Sequence, residues 1–218
     1  LTDNGVASSF GAGLRLGYQG QLAPWLTVGL SYQTPVVMSE LDEYAGLFAE
    51  QGGFDIPQNL TGGVALKVTK RLTAALDVQW IDYSGVRSIG NARMPHLMES
   101  KLGDDAGAGF EWQDMTIFKG GLQYDAGAGW TVRAGYSYGK QPIQEQAALM
   151  NILAPGVIEQ HLSAGFSKTL SRHLVHLAVT RALGKTVSGP NALEAPGQQT
   201  IELAMDQWIV SFGYSLGF

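Results

Sequence analysis

The sequence predicts an all-β fold, a transmembrane antiparallel β-barrel with about nine strands in one domain, residues 1–218. Three observations predict it. Apolar residues alternate with small or polar residues in nine segments, the links between segments are alternately short and long, and aromatic residues lie near segment ends. Since successive side chains of a strand point to opposite faces, each segment would turn one side to lipid and the other to the lumen.

Composition agrees with a barrel and excludes several other classes. The chain has 29 glycines, no cysteine and a formal net charge of −5. No apolar run approaches the roughly 20 residues that a transmembrane helix needs. The lack of cysteine excludes thiolate catalysis and Cys-ligated zinc. An acidic chain without a run of basic residues is not expected to bind nucleic acid, because both carry negative charge. The opening LTDNGVASS lacks a signal-peptide pattern, so we expect an exported chain that has lost one or is incomplete.

The first four segments set leucine, valine and aromatic residues against glycine, threonine and glutamine. Their apolar faces are Phe10, Ala12, Leu14, Leu16 and Tyr18 in residues 8–20; Leu26, Val28, Leu30 and Tyr32 in 25–34; Leu60, Gly62, Val64, Leu66 and Val68 in 58–68; and Leu72, Ala74, Leu76, Val78 and Trp80 in 72–83. The links within the two pairs, QGQLAP and TKR, are short enough for tight turns.

The last five segments repeat the pattern. Their apolar faces are Phe118, Leu122 and Tyr124 in residues 115–125; Trp130, Val132, Ala134, Tyr136 and Tyr138 in 130–139; Leu162, Ala164 and Phe166 in 159–168; Val175, Leu177 and Val179 in 174–183; and Trp208, Val210, Phe212, Tyr214, Leu216 and Phe218 in 206–218. The eighth is the weakest, because Arg181 falls on its apolar face. We interpret Arg181 as a strand-end residue near a lipid headgroup.

The links give an independent test, because barrels have short periplasmic turns and longer outer loops. The long links are residues 35–57, 84–114, 140–158 and 184–205, and all four would lie outside. Nine strands is an odd number, whereas bacterial single-chain barrels have even numbers, and an open sheet would leave backbone groups unpaired in lipid. We therefore expect an odd number of strands to be missing before residue 1, or closure with another chain.

Several stretches resemble the C-terminal part of the FadL/TodX family of outer-membrane transporters for long-chain fatty acids and other hydrophobic compounds. They are GGFDIPQNL, VQWIDYSGV, GAGFEWQD, RAGYSYGKQPI, NILAPGVIEQHLSAGFS and VSGPNALEAPGQQTIELAMDQW. The resemblance implies a fourteen-strand barrel in a Gram-negative outer membrane, with these strands as the sixth to fourteenth. The preceding strands and an N-terminal hatch are absent from this sequence. It also implies that loop 35–57 helps to form a surface capture groove.

Two long loops carry the candidate substrate-binding residues. In loop 35–57, Leu41, Tyr44, Leu47 and Phe48 recur at spacings of three and four, which predicts an amphipathic helix of about ten residues. This stripe is either a landing surface for an amphiphile or a face packed on neighbouring loops. The other loop candidates are Phe54, Met150, Ile152 and Leu153.

On the lumen face, Lys119 and Arg133 could bind a fatty carboxylate, or could pair with other groups that fill the barrel. Acidic residues in GDDAGAGFEWQD could bind calcium, but they lack EF-hand spacing, so we predict no metal site. No catalytic motif is present, which argues against an enzyme, and no cofactor is expected.

These features favour passive transport of hydrophobic molecules, by capture at the outer loops and lateral release into the membrane. The alternative is a structural or adhesive barrel without transport. The expected partners are a hydrophobic small molecule, outer-membrane lipid and lipopolysaccharide, and the missing N-terminal part of the barrel or another chain.

Overall fold

The computed structural model of the chain describes residues 3–92, 99–195 and 197–217. Its strands are β1 (Gly11–Ala12), β2 (Arg15–Ala23), β3 (Leu26–Gln33), β4 (Val37–Met38), β5 (Asn59–Lys67), β6 (Leu72–Ile81), β7 (Met115–Gly127), β8 (Trp130–Gly139), β9 (Gln160–Leu170), β10 (His173–Pro190) and β11 (Thr200–Leu216). One-turn helices are α1 (Ala49–Gly52) and α2 (Arg87–Gly90), and 3-10 turns are Asp42–Tyr44, Glu145–Ala147 and Met150–Ile152. The described residues include no helix of the length and apolarity that crossing a membrane requires.

Nine of the strands form one antiparallel sheet in the order β2-β3-β5-β6-β7-β8-β9-β10-β11, so that each strand pairs with the next along the chain. The two-residue strands β1 and β4 pair separately. This meander confirms the predicted all-β fold and the nine strands. It gathers the tight turns at one edge, which we call the short-turn edge, and the longer connections at the opposite, long-loop edge.

The register keeps the apolar side chains on one face of the sheet. Tyr18 lies opposite Leu30, Val78 lies opposite Phe118, and Phe118 lies opposite Tyr138. On the final strand, Phe212 is 73% exposed. Apolar side chains left uncovered along a whole sheet face are what a barrel presents to lipid.

Arg181 lies on this apolar face, opposite Leu162 near the long-loop end of β9. One of its guanidinium nitrogens lies 2.5 Å from a carboxylate oxygen of Asp206, and the guanidinium lies over the ring of Trp208, 5.1 Å from the centroid. The arginine is therefore paired as well as near the edge of the apolar band. The sequence did not predict the Arg181–Asp206 pair, because Asp206 is not part of the apolar face of the ninth segment.

The predicted long link 184–205 is wrong. β10 and β11 stay paired beyond the membrane-facing part, from Lys185 opposite Met205 to Pro190 opposite Thr200, after an irregularity between Ala182 and Lys185. The physical reason is packing. Val187 and Leu203 are buried against loop 140–158, and this burial stabilises a strand pair whose own apolar alternation is weak. The first segment also differs, since β2 begins at Arg15 rather than residue 8.

The predicted ten-residue helix in loop 35–57 is also wrong. The 3-10 turn Asp42–Tyr44 is followed by turns and then by α1, inside which Glu50 and Gln51 have φ of 56° and 54°. Left-handed residues cannot continue a right-handed helix. The loop instead folds back on itself, with the backbone N–H of Leu41 donating to the carbonyl of Gly52 at 2.9 Å. Phe218, which was predicted to end the apolar face of the ninth segment, lies outside the described residues.

Candidate ligand-binding site at the long loops

Aromatic rings from two long loops and from the segment that directly follows β6 meet at the long-loop edge. The centroids of Phe48 and Phe54 are 4.9 Å apart, those of Phe54 and Phe110 are 6.3 Å apart, and those of Tyr83 and Trp112 are 5.0 Å apart. A distance of 6.3 Å between Phe110 and Trp112 links the two groups. We call these five residues the aromatic cluster. Several of its contacts are edge-to-face, the geometry that aromatic pairs prefer.

A cavity of about 290 Å³ lies against this cluster. It is lined by Phe54, Asp55, Ile56, Pro57, Tyr83, Ile89, Phe110, Trp112 and Ala154. The Asp55 carboxylate accepts a hydrogen bond from the Met38 backbone N–H at 2.7 Å. Burial raises the pKa of the Tyr83 hydroxyl, so this group is neutral at physiological pH. The lining is suited to an apolar or aromatic molecule of modest size.

Asn151 fixes the back of the site. Its side chain has no exposed surface, its Nδ2 donates to the carbonyls of Phe110 at 2.8 Å and Ala147 at 3.0 Å, and its Oδ1 accepts from the indole N–H of Trp112. A buried amide with these partners is stabilising, because no polar group is left unpaired. The hydrogen bonds hold loop 140–158 against loop 84–114.

Close backbone approach joins loops 35–57 and 84–114. Gly103 has φ +89°, and a Cβ there would lie 2.1 Å from the carbonyl oxygen of Ala45. Within loop 84–114 itself, a Cβ on Gly109 would lie 2.6 Å from the carbonyl oxygen of Arg87. The backbone N–H of Gln51 also donates to the carbonyl of Gly103 at 2.8 Å. Only glycine fits either position without displacing backbone.

The extended β10–β11 hairpin supports loop 140–158 from the other side. The buried cluster of Ile143, Ala148, Val157, Val187 and Leu203 joins them. At the edge of this cluster the Lys185 ammonium lies 3.1 Å from the Glu159 carboxylate. The cavity is thus surrounded by loops that are packed on one another and on the extended hairpin.

The loop residues predicted to bind substrate differ in exposure and in whether they line the cavity. Phe54 lines the cavity. Leu47 is 7% exposed, and Leu41, Tyr44, Phe48 and Met150 are half-buried. Ile152 and Leu153 are each 53% exposed and directly precede Ala154 at the cavity wall. Much of the predicted stripe in loop 35–57 is therefore packed inside the loop cluster.

Of the nine lining residues the sequence predicted only Phe54, and it missed the aromatic residues Tyr83, Phe110 and Trp112 together with five others. The signal was present in GAGFEWQD, whose two aromatic residues stand out in a long outer loop. The acidic residues around them have separate partners, such as Ser84 for Asp114 and Gln51 for Asp105. Within the described residues, no group of three or more His, Cys, Asp or Glu side chains could hold a metal ion.

The predicted lumen cations lie on the polar face of the sheet, away from the cavity lining. The Lys119 ammonium donates to the side-chain oxygen of Gln79 at 2.7 Å. Arg133 donates from Nε to Gln123 at 2.8 Å and from Nη1 to the hydroxyl of Ser167 at 2.5 Å. Both therefore bond to neutral side chains across the strands.

Several solved structures have a similar fold. The chain aligns over its whole length with the toluene transporter TodX of P. putida at 18% identity and a TM-score of 0.65, covering 51% of that chain. It aligns over 100% of its length with a TodX deltaS2S3 mutant, a monoaromatic hydrocarbon channel, at 19% identity and a TM-score of 0.70, covering 52% of that chain. A Pseudomonas aeruginosa FadL homologue gives 16% identity and a TM-score of 0.65, with 93% and 51% coverage.

The chain thus spans about half the length of the solved structures that it matches. No curated protein has a matching sequence. A family model described as outer membrane protein transport protein (OMPP1/FadL/TodX) matches residues 3–218. The nine-strand meander with its lipid-type face agrees with that match, and the chain belongs to the OMPP1/FadL/TodX family of outer-membrane proteins.

Proposed function

We propose that this chain is part of a passive outer-membrane transporter of hydrophobic small molecules, and that the cavity beside the aromatic cluster is its outer capture site. The observation that carries the proposal is the cavity of about 290 Å³ among the long loops, walled largely by apolar and aromatic side chains. Membership in a family of transport proteins supports the same function.

The energetics suit capture followed by release. Burying about 200 Å² of apolar ligand surface contributes roughly 5 kcal/mol, at about 25 cal/mol per Å². That free energy corresponds to a dissociation constant of about 0.2 mM. A passive transporter needs an affinity of this order, because a tightly bound molecule would leave too slowly. The polar wall groups are few, so little desolvation opposes binding.

The loop packing supports a preformed site. Asn151 ties loop 140–158 to loop 84–114, and Gly103 brings the latter against loop 35–57. A ligand that enters a site already shaped by such contacts orders few side chains, so less binding free energy is lost. Exposed Ile152 and Leu153 beside Ala154 would form an apolar approach to the wall.

The remaining steps belong to the same proposal. The apolar face of the sheet would contact outer-membrane lipid, and the long-loop edge would contact lipopolysaccharide. Further strands, from a preceding segment or another chain, would close the barrel between β2 and β11. The cargo would be a long-chain fatty acid or an aromatic hydrocarbon, and it would leave sideways into the membrane.

A cavity-filling substitution tests the capture site. Ala154→Phe adds a ring at the wall, whereas Leu193→Phe adds one at a 78% exposed position in the turn between β10 and β11, outside the lining. Initial uptake of labelled toluene and of labelled oleate would be measured in cells with equal amounts of each folded barrel. We expect several-fold slower uptake of the cargo with Ala154→Phe and near-normal uptake with Leu193→Phe. Normal uptake of both compounds by both variants would rule out this cavity as the capture site.

A further inference from the structure

One cation lies on the apolar face of the sheet, near the short-turn edge. Lys168 on β9 pairs with Trp130 on β8 and with Val175 on β10, so the three side chains point to the same side. The Lys168 ammonium lies 4.7 Å from the centroid of the Trp130 ring and donates to the backbone carbonyl of Ala128 at 2.7 Å. A lysine on a lipid-facing side is costly at the bilayer midplane and tolerated at the interface. Lys168 is two residues from the end of β9, which corresponds to the level of the lipid head groups.

The Lys168 ammonium has hydrogen-bond donors to spare. An ammonium has three N–H groups, and within the described residues Lys168 uses one of them, for Ala128. No carboxylate of the described residues forms an ion pair with it. Among the residues that the structure describes near the short-turn edge, the only side-chain carboxylate is that of Asp125. It pairs with Thr131 on the polar face of the sheet and accepts from the backbone N–H of Gly127 at 2.9 Å. The positive charge of Lys168 is therefore available to an anion outside the protein.

Other cations lie at the same edge, although the whole chain has a formal net charge of −5. Lys70 and Arg71 lie in the turn between β5 and β6, and Arg172 lies in the turn between β9 and β10. All three are exposed, and within the described residues no carboxylate forms an ion pair with them. Basic residues at a membrane surface attract anionic lipid head groups. The short-turn edge is therefore suited to a leaflet that contains anionic lipid.

A hollow of about 450 Å³ begins beside Trp130, the ring that Lys168 covers. Most of its lining comes from residues of the apolar face, namely Trp130, Val132, Ala164, Phe166, Leu177 and Val179. Ala164 lies opposite Ala134, and these two methyl groups leave a depression between the bulkier pairs on either side. Ala164 is four residues from Lys168, about 13 Å along the strand. An acyl chain whose head group lies beside Lys168 would therefore reach into the hollow.

We propose that Lys168, Trp130 and this hollow form a binding site for one anionic glycerophospholipid of the surrounding membrane. The lipid phosphate accepts from the Lys168 ammonium, and one acyl chain lies along β9 in the hollow. An anionic lipid fits better than a zwitterionic one, because the ammonium of an ethanolamine head group would meet Lys168 and Arg172 with the same charge. The inference rests only on the lipid contact within the proposed function, and not on capture or release of cargo. A bound lipid would hold the short-turn edge at a fixed depth in the leaflet opposite the long loops.

The test is native mass spectrometry of the complete protein in a neutral detergent, with equal amounts of dioleoylphosphatidylglycerol and dioleoylphosphatidylethanolamine added. We expect the protein to retain phosphatidylglycerol about fivefold more than phosphatidylethanolamine, the effect of one basic residue near a membrane surface. Glycerol phosphate, which is the head group alone, should not displace the lipid, because the hollow binds the acyl chain. Equal retention of the two lipids, or displacement by an equal amount of glycerol phosphate, would overturn the proposal.

Charge variants separate this site from general attraction to the edge. Lys168→Gln should abolish the preference for phosphatidylglycerol, and Lys168→Arg, which keeps the charge, should retain it. Lys67→Gln is the matched control, because it removes a cation near the same edge on the polar face of the sheet. A preference that survives in Lys168→Gln, or that is lost equally in Lys67→Gln or in Lys168→Arg, would contradict the assignment of the head group to Lys168.

A second pair of variants tests the hollow. Ala164→Phe fills it and should lower the retention of both lipids several-fold, whereas Leu162→Phe adds the same ring on the same face outside the lining. Equal retention in these two variants would rule out the hollow as the acyl-chain site. All variants are compared at equal amounts of folded protein, judged by the electrophoretic mobility of unheated samples. The readout needs no transport, so normal uptake in Ala154→Phe and an absent lipid preference are distinguishable failures.

Discussion

The indole N–H of Trp112 donates to the side-chain oxygen of Asn151 at 2.5 Å, although the two residues lie 39 positions apart. The bond joins a ring of the aromatic cluster to the centre of the neighbouring loop. Removing a buried amide that bonds to an indole and two carbonyls is destabilising, because each partner loses a hydrogen bond that replaces its bond to water. The hydrogen bond between Trp112 and Asn151 therefore holds the two loops behind the cavity together.

Replacing Asn151 by alanine should loosen the loops and leave the strands intact. The lost hydrogen bonds leave buried groups unpaired, at a cost of about 1–3 kcal/mol. Protease cleavage within loops 84–114 and 140–158 should become faster. The electrophoretic mobility of the unheated, folded barrel should not change. Asn191→Ala is the matched control, since its amide bonds to Gln199 in an exposed turn. Equal cleavage rates for both variants would contradict the assignment.

Gly189→Ala should detach the hairpin from loop 140–158. A Cβ at this position would lie 1.7 Å from the carbonyl oxygen of Glu145, so backbone must move. Overpacking of this kind costs about 1–3 kcal/mol. Hydrogen exchange should accelerate at the amides of residues 143–149. Gly184→Ala on the same strand meets only the Asp206 Cβ at 3.6 Å and should leave exchange unchanged. Protection retained in Gly189→Ala would show that the contact is dispensable.

The Arg181–Asp206 pair should behave as a unit. Arg181→Leu alone, or Asp206→Leu alone, leaves the other charge unpaired on the lipid-facing side. We expect each substitution to lower the free energy of unfolding by about 1 kcal/mol. The double variant should lose less than the sum, because no lone charge remains. Urea unfolding in phospholipid vesicles gives the three values. Strict additivity would mean that the two side chains act independently.

Tyr83 should make the loop cluster sensitive to alkali. Burial raises its pKa above the ordinary value of 10.0, so the folded chain keeps this proton after an unfolded chain has lost it. The free energy of unfolding is therefore independent of this group below about pH 10 and falls as the pH rises further. Trp112, whose ring lies 5.0 Å away, provides a fluorescence signal for the loss of loop structure. Tyr83→Phe should remove this component of the pH dependence, and an unchanged profile in that variant would refute it.

The strands could be predicted from sequence because their signal is local. Alternation around Leu30 or Val132 depends only on neighbours two positions away, and it identified nine strands and the apolar face. The same reasoning failed beyond Ala182. There Val187 and Leu203 pack against loop 140–158, and this packing stabilises the strand pairing. Local alternation of apolar residues cannot predict a contact with a distant loop.

The cavity was less predictable for the same physical reason. Phe54 and Phe110 are 56 positions apart, and only the folded loops bring their rings to 6.3 Å. Spacings of three and four around Tyr44 suggested a helix, but Glu50 and Gln51 turn the chain back in left-handed conformations. Leu47 consequently supports the loop fold, so a substitution there would report on folding as well as on capture.

The close approach of Gly103 to the carbonyl oxygen of Ala45 has a consequence for protein engineering. A loop 84–114 grafted alone from a relative would meet this carbonyl of loop 35–57 at a distance that only glycine tolerates. The same loop is joined to loop 140–158 by the hydrogen bond from Asn151 to Phe110. Loops 35–57, 84–114 and 140–158 would therefore have to be transplanted together, as one cassette, for a chimera to keep the packed loop cluster.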